Sequence, residues 1–160
     1  MGELQYGRLA DLIRKHEADL LNDWIKEQLA ALTLRPDLLS ESELREQSRA
    51  LLSALRTALG KGGGEIGGAE WAPVRELLGD VSRSRARQGF TPSETATFVF
   101  SLKQPMFTRL RRELGRDADG LADELWTATV LLDKLGLYTT EVFQKSRDEL
   151  IGRASCRERV

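Results

Sequence analysis

One histidine and one cysteine are the side chains of this chain best suited to nucleophilic or metal chemistry. His16 stands beside Glu17 and is weakly similar to a phosphoacceptor histidine, but the proline expected there and an ATP-binding half are absent. A serine–histidine–aspartate triad would also have to use His16. Cys156 lies in the last ten residues and is not a credible nucleophile. The residues therefore predict a protein that is not an enzyme, with a histidine phosphotransfer module based on His16 as an alternative.

Metal and phosphate sites have little support from the residue spacing. One histidine without a usable cysteine does not make a usual zinc site, and the Glu-x-x-His spacing of di-iron bundles does not occur. Lys61 to Gly68, KGGGEIGG, contains five glycines. A phosphate-binding loop would need a preceding strand and a closing Gly-Lys-Ser/Thr, and both are missing. We interpret the segment as a flexible loop between helices, and we expect no cofactor and no metal.

The composition is typical of one ordinary globular domain. The chain has 160 residues, of which 41% are hydrophobic and 31% charged, with a net charge of -1. A domain of this size buries about 68–70% of its unfolded surface and folds without staples. No basic patch indicates nucleic acid, no apolar run approaches the roughly 20 residues of a membrane span, and no signal peptide begins the chain. We expect a cytoplasmic protein that binds neither nucleic acid nor a membrane.

The last ten residues, 151–160, read IGRASCRERV and break the preceding pattern. They match the translation of a widely used sequencing-adapter DNA in one reading frame. We interpret this tail as an artefact and exclude it from the fold. The expected domain therefore spans residues 1–150, and we expect the natural protein to continue beyond Leu150.

Helical periodicity runs through the first half of the chain. Apolar residues at spacings of three and four predict a first helix from Leu4 to Leu34, which ends before Pro36. A second helix is predicted from a Ser40 cap to Gly60. A third helix is predicted over residues 71–88. Its basic end, residues 83–87, is interpreted as a solvated run matched to the helix dipole.

The central stretch, Gly89 to Leu114, contains four of the five phenylalanines. Thr91 can act as the N-cap, Pro92 suits the first helical position, and Glu94 completes a capping box. The pattern predicts one central helix. Five residues are candidates for a sensory pocket, with plain core packing as the simpler interpretation: Trp24, Phe98, Phe100, Met106 and Phe107.

A last helix is predicted from a cap at Asp117 or Asp119 to about Leu150, roughly 45 Å long. It carries a repeat of 3.5 residues, which favours a seam with a neighbouring helix. This repeat consists of Leu121, Leu125, Ala128, Leu132, Leu135, Thr139, Val142 and Ser146. A second apolar face consists of Trp126, Val130, Leu131, Leu137 and Tyr138. Two faces imply two partners, the domain core and another subunit. The predicted dimer and output seam is Leu121, Leu125, Leu132, Leu135 and Val142.

Three segments carry a resemblance to a known family. The segments GFTPSETATFVFSLKQPMFTRL and LGLYTTEVFQKSRDELI resemble the N-terminal domain of the RsbR-type stressosome proteins, specifically the RsbRD (RsbT co-antagonist) branch. The opening LADLIRKHEADLLNDWIKEQL fits the same pattern. The similarity runs over about residues 4 to 150.

The resemblance implies a globin-like all-helical bundle without haem, with about five main helices, that forms homodimers. Such domains stand as turrets on the stressosome, a large bacterial cytoplasmic assembly. Their C-terminal helix leads into a STAS domain, and the STAS shell sequesters an RsbT-type switch kinase until stress releases it. The STAS domain is not in this sequence, so none of its kinase contacts or phosphorylated residues is carried over.

The globin comparison gives a test for haem. Globin-type sensors place the proximal histidine four residues before a glycine–apolar pair, which is Gly89-Phe90 here. The matching position is Arg85, and a permanently charged guanidinium does not serve as an axial ligand. The sequence therefore predicts no haem, with a ligand- or gas-binding globin-like sensor that holds a cofactor as the alternative.

The sequence as a whole predicts a signalling domain. An unknown stress input is expected to shift the Phe98–Phe107 face against the last helix. The seam, shared across a dimer, would transmit that shift as a small rotation or slide. On this hypothesis, a charge at Leu132 is expected to produce monomers.

Overall fold

The computed structural model describes residues 6–31, 35, 37–62 and 65–158, with side chains described as far as Arg153. Within these ranges the chain is helical and contains no strand. In order, the helices are α1 (Gly7–Ala30), α2 (Glu41–Gly60), a short 3-10 helix (Ala69–Trp71), α3 (Ala72–Gln88), α4 (Pro92–Phe100), α5 (Lys103–Leu114) and α6 (Ala118–Glu158). The predicted all-α class is confirmed. The expected number of main helices is met if α4 and α5 are taken as the one predicted central helix. The globin-like arrangement stays a prediction.

Local signals set most helix ends as predicted. The Oγ of Ser40 accepts a hydrogen bond from the backbone N–H of Glu43 at 3.1 Å, and α2 ends at Gly60. Gly89 has a left-handed φ of 97° and ends α3, a conformation that favours glycine. The predicted ends of the first helix at Leu4 and Leu34, with Pro36, lie outside the described residues, as do residues 63–64 of the glycine-rich loop.

A reciprocal pair of hydrogen bonds begins α4. The Oγ1 of Thr91 accepts from the backbone N–H of Glu94 at 3.1 Å, and Oε1 of Glu94 accepts from the backbone N–H of Thr91 at 2.9 Å. This is the capping box that the sequence predicts. It fixes the direction in which α4 enters the core.

The prediction of a single central helix was wrong, because the stretch is split into α4 and α5 at Ser101 and Leu102. The cause is Pro105, which has no backbone N–H to donate to the carbonyl of Ser101 and whose ring crowds that carbonyl. The backbone N–H of Leu102 instead bonds the carbonyl of Val99 at 3.1 Å, a tighter turn than an α-helix makes. The bend turns α5 away from the axis of α4.

The longest element, α6, packs against α3, α4 and α5. Of the two predicted N-cap residues, Asp117 caps the helix, because its Oδ1 accepts a hydrogen bond from the backbone N–H of Gly120 at 3.0 Å. The helix has 41 residues, about 60 Å at 1.5 Å per residue, and is longer than the expected run to Leu150. It continues through most of the segment interpreted as adapter-derived, and that origin stays a prediction. The side chain of Cys156 lies outside the described part.

One large apolar core and one smaller cluster hold the helices together. The large core joins buried side chains from α1 to α6 and includes Tyr6 and Trp71. The smaller cluster consists of Leu39, Leu44, Phe90 and Phe143, with Leu38 and Ala86 packed against it. It joins the start of α2 and the turn before α4 to the distal part of α6.

A close approach between α4 and α6 depends on Gly136. A Cβ placed on Gly136 would overlap the ring of Phe100, so no larger residue fits without displacing that ring. Gly136→Ala should gain up to about 1 kcal/mol of helix propensity but lose roughly 1–3 kcal/mol through overpacking. We expect a net loss of about 1 kcal/mol, measured by thermal or urea unfolding.

The matched control is Gly152→Ala in the same helix, where nothing lies within 4 Å of an added Cβ. That variant should be as stable as the parent chain or more so. Phe100→Leu combined with Gly136→Ala should recover stability, because the smaller side chain makes room. An alanine at position 136 that stabilises as much as one at 152 would contradict the contact.

Candidate functional site

Trp24 and the α4–α5 break form the best connected part of the interior. The indole of Trp24 is fully buried, and its Nε1–H donates to the carbonyl of Phe98 at 3.2 Å and to Oγ of Ser101 at 2.9 Å. The rings of Trp24 and Phe98 lie 5.2 Å apart and are tilted by 31°. Ser101 in turn donates to the carbonyl of Phe98 at 2.9 Å. One side chain of α1 therefore satisfies polar groups that the helix break leaves open.

The structure separates the other pocket candidates. Met106 is buried in the large core, and Phe107 is half-buried against it. Phe100 lies at the surface end of α4, half-buried, with Nζ of Lys103 5.0 Å from its ring centroid. Of the five candidates, Trp24 and Phe98 form the ring contact described above, and the structure does not gather all five around one pocket.

Arg85 corrects the interpretation of the basic end of α3. Arg83 and Arg87 are exposed as expected, but Arg85 is only 3% exposed. It follows Leu78 and Val81 at helical spacing, which places it on the inward face. That spacing was the signal in the sequence, and the local density of arginines obscured it.

The guanidinium of Arg85 lies between two aromatic rings. Its carbon is 5.1 Å from the centroid of Phe90 and 4.7 Å from that of Phe98. One Nη donates to Oε1 of Gln47 at 3.2 Å, whereas Nε has no hydrogen-bond partner among the described residues. Burial lowers the pKa of Arg85 to about 10, opposed by the charge of Glu94. The group is therefore cationic at neutral pH and poorly solvated.

A small cavity lies beside Arg85, between α1, α2, α3 and α4. Its free space is about 20 Å³, and Gln28, Leu39, Phe90, Glu94 and Phe98 are among the side chains that line it. This volume suits about one water molecule. A porphyrin or any cofactor of similar size does not fit the cavity as folded.

The predicted dimer seam on α6 needs correction at its centre. Leu132 and Leu135 are fully buried in the domain's own core, together with Ala128. A side chain that is already covered within the chain does not line a contact with a second copy. Leu121 and Leu125 are half-buried against the same core, and Val142 is half-buried. A dimer role for these three stays a prediction.

The buried stripe of α6 also departs from the strict heptad at its far end. The inward residue there is Phe143, only 2% exposed, and not Val142. An α-helix has 3.6 residues per turn, so a 3.5-residue repeat drifts by about 20° per heptad. Three heptads after Leu121 the drift is roughly 60°, enough to move burial to the next residue. Phe143 was the one phenylalanine that the sequence interpretation left out.

The second apolar face of α6 is the one that the chain leaves uncovered. Trp126 is 66% exposed and Leu137 is 61% exposed, with Val130 half-buried between them. Leu131 and Tyr138, assigned to the same face, instead lie in or against the core. The face that meets the core is therefore the repeat, and the second face is the more exposed one. A second partner for α6 stays a prediction.

His16 lies at a kink in α1, where its φ of -120° and ψ of 21° are not helical. Its Nε2 is 2.8 Å from Oε1 of Glu113 on α5, and Nζ of Lys15 is 3.5 Å from Oε2 of the same carboxylate. The hydrogen bond from His16 lowers the pKa of Glu113, with a further contribution from Lys15. The histidine is half-buried, and its Nε2 is occupied by Glu113. The arrangement is suited to joining α1 to α5, not to accepting a phosphoryl group.

The described part of the chain also bears on metal binding and on membrane insertion. No three His, Cys, Asp or Glu side chains there are grouped as metal ligands would be. None of its helices is both long and apolar enough to cross a membrane.

Comparison with known proteins assigns most of this chain to a family model. The model of the family described as RsbT co-antagonist protein rsbRD N-terminal domain matches residues 18–157. Searches of curated proteins and of solved structures returned no significant match.

Trp24→Phe should lower the free energy of unfolding by about 2 kcal/mol, because it removes the buried donor to the hydroxyl oxygen of Ser101 and one of the two side-chain donors to the carbonyl of Phe98. Urea unfolding followed by circular dichroism measures the change. The control is the same substitution at the exposed Trp126, which should stay within about 0.5 kcal/mol of the parent chain. Equal losses at the two positions would show that the indole N–H of Trp24 does not matter.

Glu113→Gln should destabilise the domain at neutral pH but not in acid. The pKa of Glu113 is lower in the folded state. Its stabilising contribution is therefore present above the unfolded pKa of about 4.5 and is lost as the pH falls through the lowered value. Unfolding curves between pH 7 and pH 3 measure the difference between the two proteins. In a double-mutant cycle with His16→Gln the losses should be less than additive, and full additivity would argue against a direct contact.

Proposed function

The chain belongs to the family of RsbT co-antagonist protein rsbRD N-terminal domains, and we propose that it is a non-enzymatic sensor domain of a stressosome that pairs through α6. Family membership carries the general assignment to stress signalling. The finer proposal is that the domain forms a homodimer in the cytoplasm. Through α6 it would pass an input to a STAS domain that holds an RsbT-type kinase.

The observation that supports pairing is the uncovered apolar stripe of Trp126, Val130 and Leu137, which we call the outer stripe. Its members are spaced by four and seven residues and so lie on one side of α6. Trp126 and Leu137 are large apolar side chains, both more than half exposed and on the same side of the helix. Single exposed apolar residues are common, but a grouped apolar surface of this kind marks an interaction site. A second copy of α6 offers a matching stripe, since a two-fold contact places the same surface on both subunits.

The proposed route of the signal follows contacts within the domain. Trp24 fixes the α4–α5 break through Phe98 and Ser101. At the end of α4, the ring of Phe100 lies against Gly136 of α6, and the next residue is Leu137 of the outer stripe. A shift of α4 therefore reaches α6 beside the proposed dimer contact. Packed helices respond to such a shift by small slides or rotations.

The two alternatives have less support. A phosphotransfer histidine would need an accessible ring nitrogen, and Nε2 of His16 is engaged by Glu113. A cofactor-binding globin-like sensor would need a larger cavity than the one beside Arg85. Among the described residues, neither a free phosphoacceptor nitrogen at Nε2 of His16 nor a cofactor-sized cavity beside Arg85 is present.

Leu137→Glu should convert the dimer to a monomer of 17.9 kDa without unfolding it, because the new charge lies in the outer stripe and not in the core. Sedimentation velocity gives the mass, and circular dichroism shows whether the fold is kept. Leu132→Glu is expected to unfold the domain instead, because Leu132 is fully buried and an unpaired buried charge is expensive.

The control is Leu29→Glu, a comparable change at an exposed leucine of α1. It should leave the dimer intact. A parent chain that is monomeric at high concentration, or a Leu137→Glu dimer of unchanged mass, would reject the outer stripe as the contact.

A further inference from the structure

Arg85 is a buried cation with no carboxylate at contact distance among the described residues. The comparison is Arg109, whose side chain is also mostly covered but whose Nη2 lies 3.5 Å from a carboxylate oxygen of Asp23 and 3.7 Å from one of Asp19. No carboxylate among the described residues lies within 4 Å of Arg85. Its one hydrogen-bond partner, Gln47, is neutral. The charge of Arg85 is therefore not balanced at contact distance.

The nearest acidic group is already engaged elsewhere. Glu94 accepts the backbone N–H of Thr91 at 2.9 Å, and Nη1 of Arg35 lies 3.6 Å from its other carboxylate oxygen. Glu94 lowers the cost of charge on Arg85 from a distance but does not bond it. Its side chain is part of the capping box, so it is not free to turn towards Arg85 without uncapping α4.

The position is poorly explained by stability alone. A buried charge without a partner costs more than an apolar side chain of similar volume, and replacing buried ions by such side chains is often neutral or stabilising. The two phenylalanine rings provide cation–π attraction and leave the Nε–H unsatisfied. The cavity that Arg85 lines adds a space next to a cation whose Nε–H lacks an acceptor among the described residues.

We propose that this cavity binds a small monovalent anion, of the size of a halide or formate, against the guanidinium of Arg85. The free space of about 20 Å³ admits one occupant of about the size of water. A water molecule would satisfy a donor but would leave the charge unbalanced, whereas an anion does both. Glu94 already places one negative charge in the cavity wall, so a divalent anion such as sulfate is disfavoured more strongly than a monovalent one, by charge and by size.

The site joins four parts of the fold. Gln28 of α1, Leu44 of α2, Arg85 of α3 and Phe98 of α4 all line it. An anion there would hold α3 and α4 together and so affect the contact between Phe98 and Trp24. The effect on signalling rests on the proposed function. The anion site itself does not, because binding is measured independently of signalling.

Thermal unfolding in chloride, bromide, formate or gluconate at equal ionic strength tests the site. The three small anions should raise the Tm of the parent chain by about 3 °C relative to gluconate, the size expected for a ligand at several times its Kd. Arg85→Met should abolish the difference. Arg109→Met, the control, should lower Tm but keep the full response to halide.

A crystal grown in bromide gives a second measurement that does not depend on any variant. An anomalous peak beside the guanidinium of Arg85 is expected. Equal Tm in chloride and gluconate, a halide response that persists in Arg85→Met, or a water molecule in place of bromide would each overturn the proposal. The Leu137→Glu chain should keep its halide response, so failure of the dimer and failure of the anion site are distinguishable.

Discussion

The inward stripe of α6 is the contact on which the other helices depend. Leu131, Leu132 and Leu135 close the large core against α3, α4 and α5, while Phe143 closes the smaller cluster further along. Without α6 the apolar faces of those three helices would be open to water, and short helices are marginal without such packing. Because one face of α6 is committed to the core in this way, only its other face is free for a partner.

Much of the fold could be predicted from sequence because its helix ends use local chemistry. Each capping residue bonds a backbone group no more than four residues away, so the sequence around it contains the signal. These residues are Ser40, Gly89, Thr91 with Glu94, and Asp117. The break at Ser101 was also local, and Pro105 was the signal that the apolar stripe obscured. The kink at His16 is different, since neither proline nor glycine marks it and its contact with Glu113 joins residues far apart in the chain.

The candidate site was harder to predict than the fold, because it depends on which face of a helix points inward. The residues of α6 were divided into two apolar faces, with Leu131 and Tyr138 assigned to the face that is otherwise exposed. Periodicity also does not say which of two apolar faces meets the core. Arg85 was also assigned to the wrong side of its helix. Its charge led to a prediction of exposure, but its position on the inward face of α3 makes it buried. The 3.5-residue repeat matches the buried stripe except near its end, where Phe143 is buried in place of Val142, as the drift of an ordinary α-helix explains.

A single short helix connects the two parts of the molecule discussed above. α4 has nine residues, and its start is held by the capping box while its end is held by Trp24. Phe98, on one side of it, touches the guanidinium of Arg85, and Phe100, two residues later, touches Gly136 of α6. A nine-residue helix moves as a rigid body, and close-packed interiors transmit displacement instead of absorbing it. We therefore propose that a change that moves Phe98 against Arg85 also moves Phe100 against α6, at the turn of α6 that contains Leu137.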